Sequence, residues 1–345
     1  MTWYNTNWKY RKKITIDNTK VSASLTDYPI YLDLSELGTD FFDNVKSDGG
    51  DIRITKADEE TEVPREVVSC DTTAETGEVH FKGDLSSSTD TDFYVYYGNS
   101  GASDYAITAT YGAENVWNSN YKAVYHLQNA DDSTSNSNDG TVTGATSGAT
   151  GKIGDGYSFD GSNDYIHSIV GNLPNAYSIS MWIKTTDSSV DFSGFSDAVP
   201  TDAIHEKEFY VDASGYAAFR AYDGTEVLIN SNTIINDGNK HYIVITAIDN
   251  GFAKIYVDGV YKAQAAVATL YNGYTTAYFT LGIGSNSIGY LSGILDEARI
   301  HTIELSDNLI STEYNNQNSP STFYTIGIQE ESKISSNTIF LSNNF

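Results

Sequence analysis

Apolar and polar residues alternate with a period of two along almost the whole chain, and that leaves room for little besides β-structure. The pattern is clear in KKITIDN, YPIYLDLS, DIRIT, VHFKG and DFYVYYGN within the first hundred residues. It returns in AVYHL, YSISMWIKT, KHYIVITAID, AKIYVDGVYKA, AYFTLGIG, GILDEARIHT and TFYTIGIQ. Every second side chain of a strand faces the same side, so each run offers one apolar face to a core. Turn formers separate the runs: Asp48-Gly49-Gly50, Asp139-Gly140, Asp160-Gly161, Asn250-Gly251 and Asp258-Gly259. AIDNGFAKIYVDGVYKA reads as two successive hairpins. Helix is scarce. SDYAITATYGAEN predicts a short joining helix. LSDNLISTEYNNQ predicts a better one, with Ser306 as cap, Asp307 in the first turn, and Leu309, Ile310 and Tyr314 on one face. Many short strands divided by loops predict an all-β chain of the sandwich or jelly-roll kind.

A chain of 345 residues suggests two domains. The boundary is expected between Asn99 and Asp104, after YVYYGNSGAS. This gives a β domain at 1–100, a partly helical linker at 101–122, a larger β domain at 123–330 and a tail at 331–345. NADDSTSNSNDGTVTGATSGATGK reads as a surface loop region. The tail, EESKISSNTIFLSNNF, is expected to be either disordered or a docking segment for another subunit. No run approaches the ~18 apolar residues of a membrane helix. A formal net charge of −26 argues against nucleic acid and anionic membrane as partners, and leaves carboxylates for hard cations such as calcium. Cys70 is the only cysteine, so no intrachain disulfide exists, and its place in EVPREVVSCD suggests an inert, buried thiol. No N-x-S/T acceptor occurs.

Three stretches bear on chemistry. In SFDGSNDYI, Asp160-Gly161-Ser162-Asn163 is a turn tetrad between two strands, and no EF-hand ligand ladder is present. In SGILDEARIHT, strict alternation puts Ile294, Asp296, Ala298 and Ile300 on one face and Leu295, Glu297, Arg299 and His301 on the other. Asp296 then lies on the apolar face and needs amide donors, a cation or a raised pKa. Glu297 and Arg299 pair on the exposed face. Adjacent acids that point apart cannot form a glycosidase dyad. No G-x-S-x-G, no H-E-x-x-H and no close histidine spacing appears among the six histidines, so no enzyme is expected. His126, in VYHL, reads as a core or rim histidine. The 26 tyrosines suit recognition of sugars, whose apolar faces stack on aromatic rings. The candidate ligand loops are VDFSGFSDAVPTD, with Phe192 and Phe195, and LYNGYTTAY, with Tyr271, Tyr274 and Tyr278.

Five blocks in order resemble the laminin-G-like, concanavalin A-like jelly-roll family over residues 123–329. They are AVYHLQNADDSTSNSNDGT, GKIGDGYSFDGSNDYI, YSISMWIKT, GNKHYIVITAIDNGFAKIYVDGVYKA and GYLSGILDEARIHTIELSDNLISTEY. Lys240-His241-Tyr242 stands where the family usually has a Trp-His pair. Residues 3–99 resemble a domain family of unknown function that precedes such jelly rolls in microbial and viral surface proteins, through WKYRKKITIDN, SLTDYPIYLDLS, GGDIRIT, EVPREVVSCD and FYVYYGN. The resemblance implies a small β-sandwich followed by a jelly roll. It also implies a structural calcium near the sandwich rim, which would bring Asp296 together with Asp132 or Asp139 of the long loop. The expected role is non-catalytic binding or adhesion through a glycan or host surface receptor. A purely structural assembly protein and, more remotely, a polysaccharide-cleaving enzyme are the alternatives. The opening MTWYNTNWKYRKK holds no apolar leader segment. A bacteriophage releases its proteins by lysis, so a virion protein, decorating a capsid or binding a receptor at a tail, is one expected setting. An extracellular or cell-surface location is the other. Homo-oligomer formation or attachment through a terminus is allowed by the sequence.

Overall fold

The computed structural model describes residues 3–197, 207–222, 226–270, 276–284 and 289–332. The amino-terminal strands are β1 (Tyr10–Ile16), β2 (Leu25–Asp33), β3 (Arg53–Lys56), β4 (Arg65–Asp71), β5 (Thr76–Leu85) and β6 (Thr91–Tyr97). They form two sheets. One runs β2-β5-β4, and the other contains β1-β6-β3. Their facing apolar residues, among them Ile14, Ile30, Leu32, Val79, Phe81 and Val95, close a single core. This is the small sandwich that the alternation predicts.

The larger body follows. Its strands are β7 (Tyr121–Tyr125), β8 (Thr141–Thr143), β9 (Thr146–Thr150), β10 (Asp155–Asp160) and β11 (Tyr165–Ile169). Next come β12 (Ala176–Thr185), β13 (Val190–Ser196), β14 (Lys207–Val211), β15 (Tyr216–Tyr222) and β16 (Glu226–Ile234). The last are β17 (Lys240–Ile248), β18 (Gly251–Val257), β19 (Val260–Val267), β20 (Tyr278–Leu281) and β21 (Ser292–His301). An eight-stranded sheet runs β19-β18-β17-β12-β21-β10-β9, with β7 also paired to β21. A seven-stranded sheet runs β16-β15-β14-β13-β20-β11-β8. The two enclose one core of Tyr125, Met181, Phe195, Phe219, Ile245, Phe279 and their neighbours. This is a jelly roll of two antiparallel sheets.

The β17-β18-β19 meander carries the two expected hairpins. Asp258 and Gly259 both take positive φ, 53° and 74°, the pairing that matches the twist of a tight hairpin. The DGSN tetrad is a turn, but not a hairpin: β10 belongs to the eight-stranded sheet and β11 to the seven-stranded one. The turn therefore carries the chain from one layer to the other. Asp160 accepts from the Ser162 amide and Asp164 accepts from the Asp160 amide, which fixes the corner.

The joining helix predicted at SDYAITATYGAEN is reduced to one short turn, Ala113–Asn115. A four-residue helix, α1 (Thr39–Phe42), lies in the amino-terminal domain. The carboxy-terminal helix, α2 (Asp307–Asn318), forms as expected, and the Ser306 hydroxyl accepts from the Leu309 amide. It wedges between the domains. Asn316 exchanges two hydrogen bonds with the Tyr31 backbone of β2, while Gln317 accepts from the Trp182 indole of β12.

The expected limit at residue 330 moves. After α3 (Pro320–Phe323), strands β22 (Tyr324–Ile326) and β23 (Glu330–Glu331) pair with β1, completing the five-stranded amino-terminal sheet. Phe323 and Tyr324 are buried in the amino-terminal core. The chain thus closes on its own beginning, and the jelly roll lies between two pieces of the small sandwich. Most of the tail, 333–345, lies outside the described residues.

Candidate functional site at the domain junction

The region that departs most from the sequence reading is β21. Along its pairing with β12, Ser180 faces Arg299 and Trp182 faces Asp296, so Glu297 and Ala298 together oppose Met181 alone. That is a β-bulge. Glu297 sits at its centre with φ 51°, a left-handed conformation that costs a non-glycine residue on the order of 1 kcal/mol. The extra residue resets the alternation. Leu295, Ala298 and Ile300 enter the core, and Asp296, Glu297, Arg299 and His301 do not. The expectation that Asp296 shares a face with Ala298 and Ile300, and diverges from Glu297, is corrected by this bulge.

The outer face of the eight-stranded sheet is not solvent-facing here, because the β2-β5-β4 sheet and α2 pack over it. Glu297 and Arg299, expected as an exposed pair, are 0% and 1% accessible. They belong to a buried polar layer between the domains. From β5 come Glu78 and His80, two apart and so on one strand face. From the turn after β7 comes His126. The His126 Nδ1 lies 2.5 Å from Glu297 Oε1 and 3.2 Å from Glu78 Oε1. The His80 Nε2 lies 2.8 Å from the same Glu78 oxygen. The two imidazoles stack with centroids 4.6 Å apart. One nitrogen or oxygen from each of these four side chains lies within 4.8 Å of the other three, the one group among the described residues arranged to hold a metal ion.

A second ring of contacts holds these groups. Gln128 donates to Glu78 Oε2 at 2.7 Å, and the His126 Nε2 faces Glu66 at 3.4 Å. Arg299 bonds Glu297 on one side and Glu313 of α2 on the other. Tyr242 donates to Glu313 at 2.6 Å, and Trp117 donates to Glu66 at 2.7 Å. Burial pulls the His126 pKa down, but Glu297, Glu66 and Glu78 outweigh it and hold the ring protonated, well above its ordinary range. Burial likewise opposes the Glu297 charge, and His126 and Arg299 overcome it, so its pKa falls well below the usual carboxylate range. Asp296 goes the other way: burial first, then the Glu297 charge, raise it. A cleft of about 490 Å³, lined by Glu66, Gln128, Asp131 and Asp132 among others, reaches His126 from solvent.

The calcium set does not assemble. Asp132 takes the Val124, Thr134 and Asn138 amides and the Thr134 hydroxyl on its two oxygens. Asp139 accepts from the Asp132 amide. Asp296 Oδ2 takes the Lys152 and Ile153 amides. These carboxylates serve as loop ties, and among the described residues the three do not form a group close enough to share an ion. Asp296 and Glu297 both leave the core, and they are 1% and 0% accessible. Phe192 and Phe195, expected on a binding loop, are 1% and 0% accessible in β13 and belong to the core. Tyr271 and Tyr274 lie outside the described residues. Glu78, His80 and Glu297 escaped the sequence reading as ligands. The i, i+2 spacing of Glu78 and His80 was the available signal, but a histidine-to-histidine search passes over it.

The other outer face differs. On β14 and β15, Phe209, Val211, Ala217 and Phe219 turn inward, so Tyr210, Tyr216, Arg220 and Tyr222 turn out. Tyr165 and His167 of β11 and Tyr278 of β20 lie on the same outer face, with His167 flanked by both rings at 5.8 and 5.9 Å. Tyr222, Leu228 and Ile234 are about half exposed. Arg220, one-quarter exposed, pairs with Glu208, which is buried. Among the described residues no helix packs against these strands, and no helix is long and apolar enough to cross a membrane.

Residues 160–311 match the family model of the concanavalin A-like lectin/glucanases superfamily. Among solved structures, domain 4 of AbnA, an extracellular GH43 arabinanase from Geobacillus stearothermophilus in complex with arabinotriose, is 23% identical. The match covers 56% of this chain and 98% of that domain, with a TM-score of 0.49. The binding domain of Paraclostridial Mosquitocidal Protein 1 is 15% identical over 56% of this chain and 52% of that one (TM-score 0.46). The botulinum neurotoxin serotype D binding domain is 15% identical over 60% and 53% (TM-score 0.45). The chain spans about half the length of these two toxin domains. A comparison with curated proteins returns no match.

Proposed function

We propose that this chain is a non-catalytic binding protein whose outer seven-stranded face takes a glycan, free or carried on a surface receptor. The observation that carries the reading is the row of tyrosines, Tyr210, Tyr216, Tyr222, Tyr165 and Tyr278, on a sheet face that no helix covers among the described residues. Tyrosine offers a flat apolar ring and a hydroxyl, which fits the apolar face and the hydroxyl rim of a sugar. Arg220, partly exposed and held by the buried Glu208, adds a charged hydrogen-bonding group. The match of residues 160–311 to a superfamily of lectins and glucanases supports the same reading.

A glycan array probed with the full chain tests it, followed by calorimetry on each hit. Binding that weakens about tenfold in Tyr222→Ala, with the melting temperature unchanged, supports a ligand on this face. Silence across neutral and acidic glycans, together with self-association through the same face, would favour an assembly protein without a ligand. Sugar release from a polysaccharide, lost in Asp296→Asn, would favour an enzyme.

A further inference from the structure

We propose that Glu78, His80, His126 and Glu297 form a closed, four-ligand site for a divalent transition metal of the zinc class, which staples the two domains together. Glu78 and His80 come from β5 of the small sandwich, and His126 and Glu297 come from the jelly roll. An ion held by all four is therefore a cross-link between domains.

Three observations carry the inference. The first is donor geometry. Four ligands around zinc at 2.0–2.1 Å stand about 3.3 Å from one another. Three of the six separations here are 2.5, 2.8 and 3.2 Å and the rest lie within 4.8 Å, so each pair needs to shift by less than about 1.5 Å. The second is the outer ring. Glu78 Oε2 is held by Gln128, Glu297 Oε2 by Arg299, and the far nitrogen of His126 by Glu66. That leaves Glu78 Oε1 and Glu297 Oε1 both beside His126 Nδ1. A carboxylate behind the imidazole is the arrangement that fixes the tautomer of a metal-ligating histidine. The third is charge and satisfaction. Glu66, Glu78, Glu297 and Glu313 bring four carboxylates into this layer, and the Arg299 guanidinium pairs with two of them. Buried here without a hydrogen-bond partner are His80 Nδ1, Asp296 Oδ1, Arg299 Nε and His301 Nε2, of which His80 Nδ1 alone belongs to the four side chains. A divalent ion held by these donors supplies positive charge against the remaining carboxylates. Two imidazoles among the donors favour a transition metal over calcium or magnesium, which take oxygen. The cleft that ends at His126 provides the way in.

The test uses the full chain, stripped with EDTA and titrated with Co²⁺ and Zn²⁺. The expected result is one equivalent of metal per chain, the intense visible absorption of four-coordinate Co²⁺, its displacement by Zn²⁺, and a raised melting temperature. Calcium at millimolar concentration should produce no shift. Zinc should also slow proteolysis in residues 101–122, between the domains. Glu78→Gln and His80→Gln should each weaken binding roughly 100-fold. Glu78→Gln keeps the shape of the site, and circular dichroism establishes that each variant is folded. The proposal is overturned if the wild type takes up neither metal at micromolar concentration. It is equally overturned if folded variants bind as tightly as the wild type, or if calcium stabilises the chain as much as zinc.

Discussion

The jelly roll has two outer faces, and they were put to different use. The face of the eight-stranded sheet is covered by the small sandwich and by α2. Its polar residues, Glu297, Arg299 and His301, are therefore nearly inaccessible and bound to partners from other elements or packed against them. The face of the seven-stranded sheet carries no helix among the described residues; its tyrosines are partly exposed, while Asp191, Glu208 and Thr280 between them are buried. The difference teaches that the same alternating strand pattern yields a partly exposed tyrosine face or a sealed ionic layer according to what packs on it.

The sharpest way to break the contrast is to remove one charge on each side. Arg299→Met leaves Glu297 and Glu313 buried without their cation, and should cost about 3–5 kcal/mol in denaturant unfolding. Arg220→Met should cost less, because its guanidinium is about one-quarter exposed and the change takes a cation from one buried carboxylate, Glu208, where Arg299 serves two. Next in size is the closure of the chain on itself. Phe323 is fully buried in the amino-terminal core, so Phe323→Ala should destabilise by about 3 kcal/mol, and hydrogen exchange should show the loss in β1 and β6 first.

Acid should also separate the faces. Burial first, then Arg299, lower the His301 pKa from 6.5 to about 3. The unfolded chain therefore binds a proton that the folded chain refuses across that window. Stability from this residue is complete above about pH 6.5 and is lost progressively as pH falls toward 3. His301→Gln should flatten that part of the pH–stability curve. His167, on the open face, is lowered only by partial burial, and His167→Gln should change the curve little. The smallest effect expected is at the helix cap: Ser306→Ala should cost about 1 kcal/mol by thermal unfolding, without touching glycan binding.

Much of the fold was legible in the sequence. Period-two runs gave the strands, Asp258-Gly259 gave a hairpin, Ser306 gave a helix start, and Asp160 to Asn163 gave a turn. Each of these depends on residues within a few positions of one another. The candidate site was not legible in the same way. Strict alternation sent Asp296 and Glu297 to opposite faces, and the bulge at Glu297 exists only in the register between β21 and β12. Phe192 and Phe195 resembled loop aromatics because the run VDFSGFS is rich in small residues, yet pairing with β14 and β20 makes it a buried strand.

Local chemistry thus determined which segments are strands, where they turn, and that the chain is an acidic, all-β protein with a single thiol. Tertiary structure alone decided that its last strands complete its first sheet, and that residues 78, 80, 126 and 297 meet. The physical reason is separation along the chain. Pairing, register and the covering of a sheet face are contacts between distant segments, and their energies depend on a partner that no short window of sequence contains.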